Sequence, residues 1–282
     1  MPVQFHKMHC AGNDFVLLDY RRSELELDSA MARQIADRRH GVGCDQILLL
    51  KSSDIKACTT RYEIFNTDGS TASQCGNGVR CIALYLQRRG EFVPPEDEGE
   101  ERAGTGLLLE GPAGVVRIEL CDDGEFECVM GEPRFAAVDH ITTDGRLSLQ
   151  LADQVVQITA ISMGNPHAVM VIESVETAPI DGLGRQISHH EAFPKGCNAG
   201  FAEIVDTENI KLRVFERGVG ETLACGSGAC AAVAALHMEN QVAEAVNVFL
   251  PGGHLVIKWR GPGHEMTMKG PATHVFRGTL DE

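Results

Sequence analysis

The sequence predicts an α/β (α+β) fold of two pseudo-symmetric domains, each a curved, mostly antiparallel sheet wrapped around a central buried helix. Three observations carry this expectation. First, residues recur in the same order at a nearly constant offset. Gly12-Asn13 pairs with Gly164-Asn165, Arg33-Gln34-Ile35 with Arg185-Gln186-Ile187, and Gln46 with Asn198, each 152 residues on. Phe65-Asn66 then pairs with Phe215-Glu216, and Cys75-Gly76-Asn77-Gly78 with Cys225-Gly226-Ser227-Gly228, each 150 residues on. So long a period excludes a solenoid and fits two copies of one domain. Second, short apolar runs and alternating segments are frequent, which is strand patterning. Third, the segments that follow the two cysteines, 79–86 and 229–236, are apolar nearly all round, as in a helix covered on every side.

In chain order, Phe15-Val16-Leu17-Leu18 and Ile47-Leu48-Leu49-Leu50 read as buried strands. A helix begins near Ser29, with Met31 and Ile35 on one face and Gly41 beyond its end. Its counterpart in the second copy contains Leu183 and Ile187. Residues 115–120, 147–151 and 210–215 alternate as half-buried strands do. The stretch 93–106, rich in Pro, Glu and Gly, reads as a solvated loop. The second copy starts near Phe126, and the strand-like segment 274–279 returns to the first. The expected domains are therefore 1–125 plus 273–282, and 126–272.

Composition narrows the function. The chain has 282 residues, 43% of them hydrophobic, enough for a substantial core. A formal charge of −15 argues against a nucleic-acid or anionic-membrane surface, because phosphate binding needs clustered cations. No run approaches the roughly 18 apolar residues of a membrane span, and the first residues lack a signal peptide's layout. The cytoplasm is the expected compartment. Disulfides are rare there, so most of the ten cysteines read as small buried hydrophobes. No C-x-x-C occurs, and the Cys75/Cys81 and Cys225/Cys230 spacings do not suit zinc, so no metal is expected.

The two cysteine turns are the candidate chemistry. Their glycines allow a tight turn and a close backbone approach to a ligand. The helix that follows points unpaired N–H groups and the positive end of its dipole at the turn. Two expectations follow: each thiol has its pKa lowered toward neutrality, and the N–H groups can hold a carboxylate. Matched thiols suit removal of a proton from one face of a carbon and its return to the other. One sulfur must then begin as thiolate and the other as thiol. Donors on a substrate carboxylate would stabilise the charge that builds there in the transition state. The other repeated residues are amides: Asn13, Gln46, Asn66, Asn165 and Asn198. They can orient a zwitterion without ion-pairing it. Glu216-Arg217 adds an anion and a cation suited to a second ammonium and a second carboxylate. His167, after Asn165-Pro166, is a candidate tuner of a nearby thiolate, with a purely structural role equally open.

These residues lie in motifs that resemble diaminopimelate epimerase across nearly the whole chain. The motifs are His9-Cys-Ala-Gly-Asn-Asp-Phe15, Gly41-Val-Gly-Cys-Asp-Gln46, Phe65-Asn-Thr-Asp-Gly69, Cys75-Gly-Asn-Gly78, Met163-Gly-Asn-Pro-His167 and Glu216-Arg-Gly-Val-Gly-Glu-Thr-Leu-Ala-Cys-Gly-Ser-Gly228. The resemblance implies a two-base epimerase without cofactor that interconverts LL- and meso-2,6-diaminopimelate on the route to lysine and peptidoglycan. It implies that Cys75 and Cys225 are the acid/base pair. It places Asn13, Gln46, Asn66, Asn165, Asn198, Glu216 and Arg217 on the substrate, and Gly76-Asn77 and Gly226-Ser227 at its carboxylate. His167 and Glu216 would tune the thiols. It further implies a homodimer, with Phe276 at the interface where some members carry tyrosine. Gly196-Cys197 departs from the Arg-hydrophobic pair usual in the family.

Other readings compete. A related cysteine-pair racemase would act on proline, hydroxyproline or histidine. Arg217 with Asn66 and Asn198 speaks for a second carboxylate and against these. A thiol-redox or metal-binding protein would use the same cysteines differently. A purely structural binding protein leaves the matched turns unexplained.

Overall fold

The computed structural model describes residues 3–23, 26–92, 106–135 and 145–280. In chain order its elements begin with β1 (Val3–Cys10), β2 (Asn13–Asp19), α1 (Ser29–Ala36), β3 (Gln46–Lys51), β4 (Thr60–Asn66), β5 (Thr71–Ala72) and α2 (Gly76–Arg88). There follow β6 (Gly106–Gly111), β7 (Gly114–Leu120), β8 (Phe126–Gly131), β9 (Arg146–Gln150), β10 (Val155–Ser162) and β11 (Pro166–Val171). Next come α3 (Ile180–Ser188), β12 (Asn198–Asp206), β13 (Asn209–Glu216), β14 (Gly220–Thr222) and α4 (Gly226–Met238). The chain closes with β15 (Ala245–Leu250), β16 (Gly253–Lys258), β17 (Met266–Gly270) and β18 (Thr273–Leu280). The solvated loop expected at 93–106 falls outside the described residues except for Gly106, which opens β6.

The chain divides into two compact units, Met1–Val129 with Gly270–Glu282, and Met130–Lys269. Within the first, β1–β2 is antiparallel, β2–β3 parallel, and β3–β4 and β4–β5 antiparallel. After α2, β6 pairs parallel with β4, and β7 and β8 follow antiparallel. The second unit repeats this pairing strand for strand. There β10–β11 is antiparallel, β11–β12 parallel, and β12–β13 and β13–β14 antiparallel. After α4, β15 pairs parallel with β13, and β16 and β17 follow antiparallel. One strand breaks the correspondence. The antiparallel partner on the outer side of β10 is β9, which precedes it in sequence, whereas that of β1 is β18, from the far end of the chain.

The continuous apolar runs have a plain cause: their strands are buried on both faces. Side chains alternate along a strand. In the first unit Val16, Leu18, Ile47 and Leu49 form one core with Ala32, Ile35 and Ala36 of α1. The intervening Phe15 and Leu48 instead lie beside Gly78 of α2. The second unit does the same, with Ala160, Ala168, Ala199 and Phe201 packed with Ile180 and Ile187 of α3. Helix α2 packs on β1, β2, β7 and β18, and α4 on β10 to β13 and β16. Each packs on strands of its own unit, and its first ten or so residues are buried almost without exception.

Candidate functional site

In the first unit Cys75 is the N-cap of α2, in extended conformation at φ −154° and ψ 99°, and its Sγ accepts the N–H of Gly78 at 3.4 Å. The glycine is needed for packing. A Cβ on Gly78 would stand 2.8 Å from Leu48 Cδ2, so the Leu48 side chain would have to give way. The matching Gly228 backs onto Val214 Cγ2 at 3.0 Å. Asn13 begins β2 after Gly12, whose φ of +82° only glycine adopts at low cost. Its repeat partner Gly164, at +89°, sets Asn165 in the same way. The amide of Asn77 donates from Nδ2 to Asn13 Oδ1 at 3.2 Å. Gln46 faces Asn66 across β3–β4 and donates to its Oδ1 at 2.9 Å, and Asn66 in turn donates to Ser70 Oγ. The sequence-selected residues of this half thus form two bonded amide pairs, one of them including Asn77 of the cysteine turn.

In the second unit Cys225 is the N-cap of α4, its Sγ 3.7 Å from Ser227 Oγ. Ser227 Oγ also accepts from Asn165 Nδ2 at 3.3 Å and lies 3.1 Å from His167 Nε2. That nitrogen is also 3.1 Å from Asn165 Oδ1. The amide oxygen only accepts, so this assignment puts the imidazole hydrogen on Nε2. Nδ1 is buried without a partner. Burial, reinforced by the charge of Arg217, pushes the His167 pKa down to about 3, so the ring is neutral at physiological pH. Asn198 lies opposite His167 in the β11–β12 register, and its Oδ1 accepts the backbone N–H of Arg217 at 2.9 Å. Glu216 Oε1 accepts from Thr222 Oγ1 at 2.6 Å.

One expectation is corrected here. The helix N-terminus was expected to lower both thiols toward neutrality. For Cys225 the shift runs the other way: burial, and then the negative charge of Glu216, push it well above its ordinary value. The bonds from Ser227 and the Gly228 N–H oppose this and lose. Cys225 is 5% exposed, so its thiolate would forfeit most of its hydration.

Gly196-Cys197 also finds a physical reason. Gly196 sits at φ +70°, and a Cβ there would come within 2.9 Å of Arg217 Cδ. The absent side chain leaves room for the Arg217 stem, whose Nη1 donates to Lys195 O at 2.9 Å. Cys197 is buried with its pKa pushed up to about 12, and its Sγ lies against Ile187 O. Phe276, by contrast, is on β18, 47% exposed and edge-on to Phe5. Among the described residues no three His, Cys, Asp or Glu side chains converge as metal ligands, and no helix is long and apolar enough to cross a membrane.

Two residues bonded to the sequence-selected ones escaped sequence reasoning. Arg80, the one charge within the apolar stretch of α2, is fully buried and donates to Asn77 Oδ1 at 2.6 Å. Asp45 accepts from Asn13 Nδ2 at 3.1 Å. The signal for Arg80 was present, since a cation on an otherwise apolar helix needs a reason to be there.

The fold is shared with solved proteins. A hydroxyproline epimerase from Agrobacterium vitis superposes with a TM-score of 0.70 over 99% of this chain and 92% of that one, at 15% identity. Sequence similarity reaches further. A family model described as diaminopimelate epimerase matches residues 5–136 and 159–275. The diaminopimelate epimerase of Alkalilimnicola ehrlichii is 45% identical over 285 residues, covering 99% of each chain. That of Thioalkalivibrio sulfidiphilus is 43% identical over 290 residues, covering 100% of each. Fold and sequence together define an isomerase of the amino-acid epimerase class. Within that class, the chain belongs to the diaminopimelate epimerase family.

Proposed function

We propose that this chain interconverts LL- and meso-2,6-diaminopimelate by two-base proton exchange, with Cys75 and Cys225 as the acid/base pair at one α-carbon. The observation that carries the assignment is the pair of cysteine N-caps at equivalent points of two units whose strand pairings repeat. Burial and Glu216 favour the protonated form of Cys225, which makes it the resting acid. By complement Cys75 is the resting base. Its thiolate takes the α-hydrogen, and the electron pair spreads onto the substrate carboxylate. The Cys225 thiol then delivers its proton to the opposite face, and the roles are exchanged for the next turnover. N–H groups of Gly76, Asn77, Gly226 and Ser227 hold that carboxylate as its charge grows. Asn13, Gln46, Asn66, Asn165 and Asn198 orient the zwitterion, and Glu216 and Arg217 recognise the far amino-acid end. His167 and Glu216 tune the thiols, the former as a neutral ring that positions Ser227 beside Cys225. The chemistry calls for no cofactor, and the two compact units are the two epimerase domains.

Turnover of LL-diaminopimelate in deuterated water, without added cofactor, is expected to place solvent deuterium at the α-carbon of the meso product. Retention of the original hydrogen throughout would overturn two-base exchange.

The same reading makes the protein a cytoplasmic homodimer paired through β18. Val275 and Phe276, 52% and 47% exposed, give that strand an apolar outer patch. Sedimentation is expected to return twice the chain mass. A single 30.5 kDa species at micromolar concentration would remove the pairing.

A further inference from the structure

Arg80 is fully buried in the first turns of α2, and among the described residues it forms no ion pair with a carboxylate. Its surroundings are the thiols of Cys10, Cys81 and Cys128. Its Nε has no hydrogen-bond partner. Besides a side-chain contact with the Cys128 thiol, its Nη2 donates to Asn77 Oδ1 at 2.6 Å and its Nη1 to Gly76 O at 3.3 Å. A buried cation with thiols and amide oxygens about it, and no carboxylate among the described residues, is costly and is not what packing alone would select.

Both acceptors belong to the turn that carries Cys75. The Gly76 carbonyl and the Asn77 N–H are the two ends of one peptide group. A cation on that oxygen draws electron density from the nitrogen and makes its N–H a stronger donor. Through the side chain, the polarisation continues in one direction. The guanidinium donates to Asn77 Oδ1, Asn77 Nδ2 donates to Asn13 Oδ1, and Asn13 Nδ2 donates to Asp45 Oδ2. A cation at one end and a carboxylate at the other select one orientation for both amides. Each Oδ1 is occupied, and each Nδ2 keeps one hydrogen uncommitted by these bonds.

We infer that Arg80 is a positioning residue for the epimerisation, a buried cation set one layer behind the Gly76-Asn77 donors so that they stabilise the substrate carboxylate most when its charge is greatest. This rests on the reading that those donors hold the carboxylate. In a site of low dielectric, an unscreened cation helps a growing negative charge more than a static one, so the effect falls on the transition state.

The test measures kcat and KM for Arg80→Met and Arg80→Lys in the full chain, with far-UV circular dichroism as the check on folding. Arg80→Met is expected to lower kcat about 10- to 100-fold with KM little changed. Arg80→Lys keeps the charge and loses the fork, and is expected to recover most of that loss. Should Arg80→Met fail to fold, Arg80→Gln makes the same comparison, since it too removes the charge. Equal loss in the charged and uncharged variants, or a loss confined to KM, would overturn the role, because a merely structural arginine is indifferent to which kinetic constant suffers. The wild-type chain run alongside separates the two readings. Absence of exchange there defeats the parent assignment, whereas normal exchange with unaffected Arg80 variants defeats only this one.

Discussion

Replacing either turn cysteine by alanine is expected to remove epimerisation, with kcat down by about 1,000-fold or more. The two variants differ in what they leave behind. Cys75→Ala removes a half-buried sulfur that accepts the Gly78 N–H, so the fold should lose little. Cys225→Ala deletes a buried sulfur and leaves a small void at the start of α4. It is expected to melt a few degrees lower, while the Cys75 variant stays near wild type. With Cys225 as resting acid, its loss leaves a base that can take the α-hydrogen and return it only to the same face. The Cys225→Ala protein should therefore still wash solvent deuterium into LL substrate slowly, without forming meso product. Full activity in either variant would refute the acid/base pair, and exchange confined to Cys75→Ala would reverse the assignment of resting roles.

The second large effect concerns stability in acid. His167 is buried and neutral, with its pKa pushed down to about 3 from an ordinary 6.5. A depressed histidine pKa means that the folded state resists protonation while the unfolded chain accepts it. The stability this contributes is present above pH 6.5 and is lost progressively as pH falls toward 3. A shift of that size corresponds to roughly 5 kcal/mol at most across the window. Urea unfolding of wild type and His167→Gln at a series of pH values isolates the effect, because carboxylates titrate alike in both. The wild-type curve should fall more steeply between pH 6.5 and 3. Parallel curves would show that the imidazole is not held neutral by the fold.

Much of this architecture was legible in the chain. Strands β2 and β3 announced themselves as unbroken apolar runs because helices cover both of their faces. Helices α2 and α4 did so as segments without a polar side. The repeat was readable because Gly12 and Gly164 need the same backbone conformation in front of the same amide. What was not legible depends on distance in sequence. The parallel pairings of β6 with β4 and β15 with β13 leave no local trace. Nor does the burial of Cys225, which reverses what its helix terminus alone would do to the thiol. Gly196 read only as a departure from a pattern, and its meaning required the Arg217 stem beside it. Arg80 was visible as an anomaly but without a partner, since Asn77 and Asn13 meet only after β2 and α2 are packed.

The different origin of the outer strand in each unit bears on the order of events during synthesis. Strand β9 is made just before β10, so the second unit can pair its outer edge as soon as its own residues exist. The strand that covers β1 is β18, and it is made after every other strand described above. The unit that carries Cys75 is thus begun before the other and closed after it. Until residues 273–280 are in place, strand β1 presents an unpaired edge to whatever lies nearby.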